Sequence, residues 1–229
     1  GTSKLFGFSL MKNFSYPYFS RSVAEFWRRW HISLNTWFRD YLYIPLGGSK
    51  GNNLLKVRNI FIIFIVSGFW HGANWTFIVW GALNALFILP SILMKTNRNN
   101  INHIESNRLL LPSFREFIGI IFTFGLIVFS WIFFRSETIT DAIQYIQRMI
   151  TTYNIGIGYP YKLMKQDVSL IFFISVMLIF EWCMRTKDHP FQFSGMKISR
   201  PIRWGIYIIF SLLILWFSGQ QAEFIYFQF

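Results

Sequence analysis

Long apolar runs that contain few charged residues constrain this 229-residue sequence more than any other feature. Residues 75–94, 117–134, 168–184 and 202–218 form four such runs, and each approaches the roughly 20 residues that an α-helix needs to cross a bilayer. Only 14% of the residues are charged, against about 25% in a typical soluble domain, while 53% are hydrophobic. The sequence therefore predicts an all-α, polytopic transmembrane protein in contact with membrane lipid.

Positive charge is concentrated between the apolar runs, and the net charge is +12. Basic residues that flank membrane spans are typical of contacts with anionic headgroups, so nucleic acid is excluded as the expected partner. The strongest basic cluster precedes Phe61 and predicts that this loop is cytoplasmic. The single cysteine, Cys183, excludes an intrachain disulfide and a cysteine zinc site, and its apolar surroundings predict a buried, inert thiol.

Residues 22–44 carry the pattern of one amphipathic helix lying in the membrane interface. Ser22-Val23-Ala24-Glu25 has the form of a capping box, and Glu25 precedes Arg29 at the spacing of a helical ion pair. An apolar stripe with a period of 3.6 residues follows, opposite a polar face. The stripe consists of Phe26, Trp27, Trp30, Leu34, Trp37, Phe38 and Tyr41, and the polar face of Arg28, Arg29, Thr36, Arg39 and Asp40.

Residues 59–94 form an apolar segment that glycines interrupt at positions 68 and 72. Its first part, residues 60–70, is too short to cross a bilayer alone. One long helix, a broken helix, or a re-entrant segment followed by a span all fit this pattern, and the glycines favour a bend. The preceding residues 47–58 are glycine-rich but lack the spacing of a phosphate-binding loop. A short amphipathic helix is expected over Ile139–Ile150.

His71 is the sharpest functional signal, because it lies between Trp70 and Trp75 beside an apolar run. A polar side chain in a membrane segment is a functional-site hypothesis by default. Imidazole also exchanges protons near neutral pH, which suits a general base. The alternative is a core histidine whose hydrogen bonds are satisfied by Asn74 or by a backbone carbonyl.

His31 lies at the edge of the apolar stripe, where it either faces a cavity or sits at the interface with its polar tip in water. Arg28, Arg29, Arg39 and Asp40 either form the solvated face of the helix, pair with one another, or bind the anionic part of an acyl donor. The candidate substrate-binding residues are these four with Trp30, Asn35 and Asn74. The spacing of the histidines fits no metal site.

Two motifs resemble the signatures of the membrane-bound O-acyltransferase family. The stretches 25–34 (EFWRRWHISL) and 37–48 (WFRDYLYIPLGG) resemble the first signature, and 67–75 (SGFWHGANW) resembles the second. Residues 224–229 are similar to the end of the alginate O-acetyltransferase branch. The resemblance implies that His71 is the catalytic histidine and His31 the other family histidine, both near a central tunnel. Because family members have further spans before the first signature, residues 1–229 are expected to form the C-terminal part of one membrane domain.

The resemblance implies a multi-pass enzyme of the inner membrane that transfers an acyl group, usually acetyl, towards a secreted polysaccharide. We expect no bound cofactor or metal; the donor is acetyl-CoA or another thioester that arrives from the cytoplasm. The acceptor is a sugar hydroxyl or a side chain of an extracytoplasmic partner protein that relays the group. Two alternatives stay open: D-alanyl transfer to teichoic acid, and a non-enzymatic channel or transporter in which the histidines relay protons.

Overall fold

The fold of residues 2–98, 111–151, 158–193 and 199–216 is described by a computed structural model, and these residues form helices joined by turns, without strands. The all-α prediction is therefore confirmed. His103 and the 224–229 motif lie outside the described residues. The helices are α1 (Thr2–Leu5), α2 (Val23–Arg29), α3 (Ile32–Phe38), α4 (Asn53–His71), α5 (Trp75–Leu93), α6 (Phe114–Arg135), α7 (Ile139–Thr151), α8 (Gly158–Met184) and α9 (Arg200–Trp216).

Three helices of the described part, α4, α5 and α6, are long and apolar enough to cross a membrane. The 59–94 segment is broken at Gly72, which was one of the three arrangements left open. Its first helix is longer than the apolar run, because Asn52 caps it by accepting a hydrogen bond from the Leu55 amide. The helix therefore includes the basic residues Lys56 and Arg58, so the loop before it is shorter than expected. The result is a hairpin of two 19-residue helices.

The α4–α5 hairpin is packed backbone to backbone at two glycines. A Cβ atom at Gly68 would lie 2.3 Å from the Phe77 carbonyl oxygen, and one at Gly81 would lie 2.3 Å from the Phe64 carbonyl oxygen. Side chains at these positions are therefore excluded, and the two helices approach as closely as small residues permit in membrane helix pairs. The contact at Gly68 is less than one turn before His71, so it also fixes the end of α4.

The predicted single helix over 22–44 is wrong, because the chain breaks at Trp30 and His31. His31 has φ 48° and ψ 52°, in the left-handed region, and separates α2 from α3. The amide group of Asn35 donates hydrogen bonds to the carbonyls of Trp27 (2.6 Å) and Trp30 (2.5 Å), which satisfies α2 carbonyls at the break. A π-helical turn, Arg39–Tyr43, follows α3, so the 3.6-residue stripe does not continue on one helical surface.

A buried charge network fastens α2 to α6. The side chain of Glu25 is fully buried and forms ion pairs with Arg21 (3.0 Å) and Arg29 (2.5 Å). Arg21 also pairs with Glu116 (3.0 Å) in the first turn of α6. Ser22 caps α2 as predicted, but Glu25 accepts the Arg21 amide rather than completing the capping box.

The remaining helices confirm several boundaries predicted from the sequence, but the predicted burial of Cys183 is wrong. α6 contains the predicted 117–134 span, α7 matches the predicted amphipathic helix, and α8 contains 168–184. Within α8, Leu170–Met184 is apolar but shorter than a span, and α9 has 17 residues, so membrane crossing by the 168–184 and 202–218 runs stays a prediction. Cys183 is exposed, so the buried thiol was wrong: the apolar face of α8 is largely uncovered by the described chain.

The chain divides into two compact units, Gly1–Pro190 and Phe191–Phe229. The first unit contains the three long apolar helices and both signature motifs. In the second, α9 packs its aromatic side chains against the segment that precedes it. The Phe191 and Phe210 rings, for example, meet edge to face at 5.1 Å.

Replacing Gly68 by alanine in the full-length protein should lower its thermal unfolding temperature by several degrees. The new methyl group cannot avoid the Phe77 carbonyl, and overpacking of this kind costs about 1–3 kcal/mol. Gly125→Ala in α6 is the matched control, because nothing lies within 4 Å of its added Cβ and alanine favours a helix. Equal melting temperatures for the two variants would refute the close contact.

Replacing Glu25 by glutamine should destabilise the protein far more than Asp40→Asn. Glu25→Gln keeps the shape but removes the buried negative charge that neutralises Arg29, and breaking a buried pair costs about 3–5 kcal/mol. Asp40 pairs with Arg39 on an exposed turn, where water already screens both charges, so its loss should leave the melting temperature unchanged. Thermal unfolding of both variants in detergent measures the difference. Similar decreases in melting temperature would contradict a stabilising role for the buried charge network.

Candidate active site

His71 is the last residue of α4, held in an aromatic enclosure formed by three helices. Its ring meets Trp80 of α5 at 5.3 Å and Phe134 of α6 at 4.9 Å, both edge to face, and Trp70 packs beside it at 4.9 Å. The backbone leaves the helix at Gly72, whose φ of 156° lies at the edge of the range that favours glycine. His71 is partly buried, so packing positions its imidazole while part of the side chain stays accessible from outside the protein.

His31 reaches the same region from the break between α2 and α3. Trp80 connects the two segments, because its ring meets His71 at 5.3 Å and Trp27 of α2 at 5.7 Å, and the electrostatic effect of His31 extends to the His71 imidazole. The His31 ring packs against the Phe14 ring, and their centroids are 6.0 Å apart. Its Nδ1 atom is buried and makes no hydrogen bond within the described chain. Left-handed backbone at a residue other than glycine costs of order 1–3 kcal/mol and is often found at functional sites.

One face of α5 lies beside the histidines and carries polar groups that the sequence analysis missed. Trp27 of α2 donates its indole hydrogen to Asn84 (3.3 Å), and the Asn84 amide donates to the Trp80 carbonyl (2.8 Å). By contrast, the buried indole nitrogen of Trp80 and the buried hydroxyl of Thr76 find no partner among the described residues. A spacing of four residues along an otherwise apolar helix was the available signal for this polar face.

The arginine and aspartate candidates do not form one cluster. Arg29 is buried against Glu25, so it does not belong to a solvated face, as one reading of the helix required. Arg28 is exposed and donates to the Asn97 carbonyl beyond the end of α5. Arg39 and Asp40 are exposed and pair with each other at 2.7 Å. A role for any of these residues in binding substrate stays a prediction.

Trp30, Asn35 and Asn74 occupy structural positions around the two histidines. Trp30 stacks on Phe26 at 5.5 Å and meets Phe14 edge to face at 4.9 Å. Asn74 caps α5 by accepting the Thr76 amide (3.1 Å) and donates to the Glu137 carbonyl (2.8 Å), which ties α5 to the α6–α7 turn. The geometry thus gives Asn35 and Asn74 hydrogen bonds to the chain itself, whereas the sequence analysis proposed contacts with substrate.

A cavity of about 510 Å³ is lined in part by Phe14 and Trp30, the two rings that flank the break at His31. Aromatic rings and charged side chains line it together, including Tyr16, Glu181 and Asp188. Burial, together with these two carboxylates, raises the pKa of Tyr16 to about 12. Glu181 lies within the apolar run 168–184 and lines this cavity.

The described residues contain no group of three or more histidine, cysteine or acidic side chains that would hold a metal ion. The chemistry available at the site is proton transfer by imidazole, with the buried hydrogen-bonding groups of Trp80 and Thr76 on the adjacent helix α5. That combination suits transfer of a group to a hydroxyl acceptor, in which a proton must leave the acceptor and charge develops on a carbonyl oxygen.

Several known proteins have sequences similar to parts or all of this chain. The probable alginate O-acetylase AlgI of Pseudomonas aeruginosa is 40% identical over 151 residues, which are 66% of this chain and 27% of that protein. The peptidoglycan O-acetyltransferase of Helicobacter pylori is 28% identical over 245 residues, covering 100% of this chain and 45% of that protein. The teichoic acid D-alanyltransferase of Streptococcus thermophilus is 32% identical over 143 residues, covering 58% of this chain and 34% of that protein.

The chain therefore spans 27% to 45% of the length of these three curated relatives. The model of the membrane-bound O-acyltransferase (MBOAT) family matches residues 3–134, a stretch that contains both histidines, the break at His31 and the α4–α5 hairpin. Since the match covers more than half of the chain, this protein belongs to the membrane-bound O-acyltransferase family.

Proposed function

We propose that the full-length protein is an O-acetyltransferase of the inner membrane that modifies hydroxyls of a cell-surface polysaccharide. The observation that carries this proposal is the aromatic enclosure of His71 at the end of a membrane-length helix, which Trp80 and Trp27 connect to the α2–α3 break that carries His31. The O-acetyltransferase relatives support acetyl as the transferred group, and their acceptors support a polysaccharide.

His71 acts as the general base in this proposal. The acceptor oxygen attacks the carbonyl carbon of a thioester while the imidazole of His71 takes the hydroxyl proton. The carbon–oxygen double bond re-forms as the carbon–sulfur bond breaks, and His71 returns the proton to the departing thiolate. The products are an ester and a thiol, so the imidazole ends as it began. Acetyl-CoA or another acyl thioester supplies the donor.

His31 orients the donor or takes part in the same proton transfers. Its position at the α2–α3 break, which is connected to His71 through Trp27 and Trp80, suits either role, and its buried Nδ1 leaves a hydrogen-bonding atom that a substrate group can meet. The surrounding rings exclude water, which strengthens hydrogen bonds at the reacting centre and limits hydrolysis of the thioester.

The basic residues at the start of α4 support one orientation of the site. Lys50, Lys56 and Arg58 lie at that end, and basic loops favour the cytoplasmic side. The 19 residues of α4 rise about 28 Å, so His71 is then near the opposite, extracytoplasmic side. In this orientation the donor enters from the cytoplasm and the acceptor, a glycan or an acyl-relay partner protein, meets the acyl group from outside.

D-alanyl transfer is the second candidate, and it is favoured by the similarity to the teichoic acid D-alanyltransferases of Streptococcus thermophilus and Bacillus subtilis. The chemistry at His71 is the same for both groups, so the acyl group itself distinguishes them. Mass spectrometry of the cell-surface polymers, with and without the gene, separates an added acetyl from an added alanyl group. A channel or transporter would change neither.

Replacing His71 by glutamine in the full-length protein should lower acyl transfer by at least about 100-fold, because a general base contributes roughly 10²–10⁴-fold to the rate. Transfer from a radiolabelled acyl thioester is measured in proteoliposomes, together with the amount of variant in the membrane. The control is Arg148→Gln on the exposed side of α7, which should retain full activity. Wild-type transfer by a correctly inserted His71→Gln variant would refute the mechanism.

A further inference from the structure

His31 occupies the N-cap position of α3, but its side chain makes no capping hydrogen bond. The N-cap side chain normally accepts a hydrogen bond from the amide of the second or third helical residue. In α3 the second residue is Ser33, and its amide is bonded to a residue 20 positions earlier in the chain. The cap is therefore present, but it comes from another segment.

That residue is Asn13, which satisfies the start of α3 with two different oxygens. Its side-chain Oδ1 accepts the Ser33 amide (3.2 Å) and the Ser33 hydroxyl (2.9 Å). Its backbone carbonyl accepts the Ile32 amide (2.9 Å). The first two helical amides after His31 thus both end on Asn13, and the segment continues alongside α2, since the Ser15 amide donates to the Arg29 carbonyl (2.9 Å).

We propose that Asn13 is a positioning residue for His31. It caps α3 from a distant segment of the same chain, which holds the left-handed turn and leaves the His31 imidazole available to the active site. This inference rests on the proposed function, in which His31 serves the reaction. A short capping side chain at position 31 would supply the same hydrogen bond locally, but it would remove the imidazole. Supplying the cap from Asn13 lets the chain keep both the turn and a histidine at its centre.

Phe14 extends the same arrangement to the side chain. Its ring packs against Trp30 at 4.9 Å and against His31 at 6.0 Å, so the residue after Asn13 covers the rings on both sides of the break. On the other side of the turn, Asn35 satisfies the carbonyls of Trp27 and Trp30. Backbone and side chain of His31 are thereby fixed from two directions, and Asn13 is the member of this set that contacts the α3 amides.

The test compares Asn13→Ala with Asn52→Ala in the full-length protein in proteoliposomes. Asn52 caps α4 in the ordinary way, through Oδ1 to the Leu55 amide, at the end of that helix away from His71. Both variants lose one cap and should melt a few degrees lower. Only Asn13→Ala should lower kcat, by roughly 10- to 100-fold as expected for a misplaced group, with KM for the thioester little changed.

Two further variants separate positioning from general damage. Asn13→Asp keeps both acceptor oxygens and should restore most of the lost kcat. In a His31→Asn background, Asn13→Ala should cause no additional loss of kcat, because residues that act through one another are not additive. Equal loss in both backgrounds, or an Asn13→Ala kcat equal to that of Asn52→Ala, would overturn the proposal.

Hydrogen exchange keeps this inference distinct from the proposed function. Asn13→Ala should accelerate exchange of the Ser33 amide, which loses its Oδ1 acceptor, more than exchange of the Ile32 amide, which keeps the backbone carbonyl of residue 13. This can be measured without any turnover. If the Ser33 amide stays as protected as in the wild type, the cap by Asn13 is refuted even when acyl transfer is confirmed. If it exchanges rapidly but His31→Asn retains full activity, the cap exists and its role in positioning a functional histidine is refuted.

Discussion

Backbone contact between α4 and α5 is the constraint on which the rest of the site depends. At Gly68 and Gly81 the helices meet carbonyl against Cα, with no space for a Cβ. Lipid does not drive apolar helices together, so close packing through small residues is what holds such a pair. The register of this contact places the end of α4 opposite the first two turns of α5. His71 consequently faces Trp80, and the polar positions of α5 face the two histidine-bearing segments.

The α2 segment is the second part of the site, and it is held by charge rather than by apolar packing alone. Glu25 has no exposure, yet it faces two arginines, and Arg21 carries the connection on to Glu116 of α6. Buried ion pairs rarely add net stability compared with apolar residues, but they penalise any arrangement that separates the charges. The network therefore specifies which face of α2 meets α6, and this directs the Trp27 side chain towards Asn84 and Trp80.

Local patterns in the sequence were sufficient for helix positions and insufficient for the break that creates the site. The boundaries of α6 and α7 followed from apolar period and length, which are properties of each segment alone. The break at His31 depends on Asn13 and Asn35, and Asn13 lies outside the periodic segment 22–44. A helical stripe persists through such a break because α2 and α3 each keep the 3.6-residue period. The start of α4 was missed for a related reason, since hydropathy alone ignored the Asn52 cap and the basic first turns.

The histidines were identifiable because polar groups in apolar sequence stand out, whereas their polar surroundings emerge only in three dimensions. In the sequence, Trp80 and Thr76 look like ordinary residues of an apolar helix. In the structure both carry a buried polar atom without a partner in the described chain, and so does His31. Each such atom destabilises the fold by about 1–3 kcal/mol relative to a satisfied one. The apolar enclosure that holds His71 thus has unmet hydrogen-bonding capacity on α5 and at the α2–α3 break. A polar ligand that reached these atoms would recover that free energy on binding, so the same unsatisfied atoms that lower the stability of the fold favour ligand binding at the site.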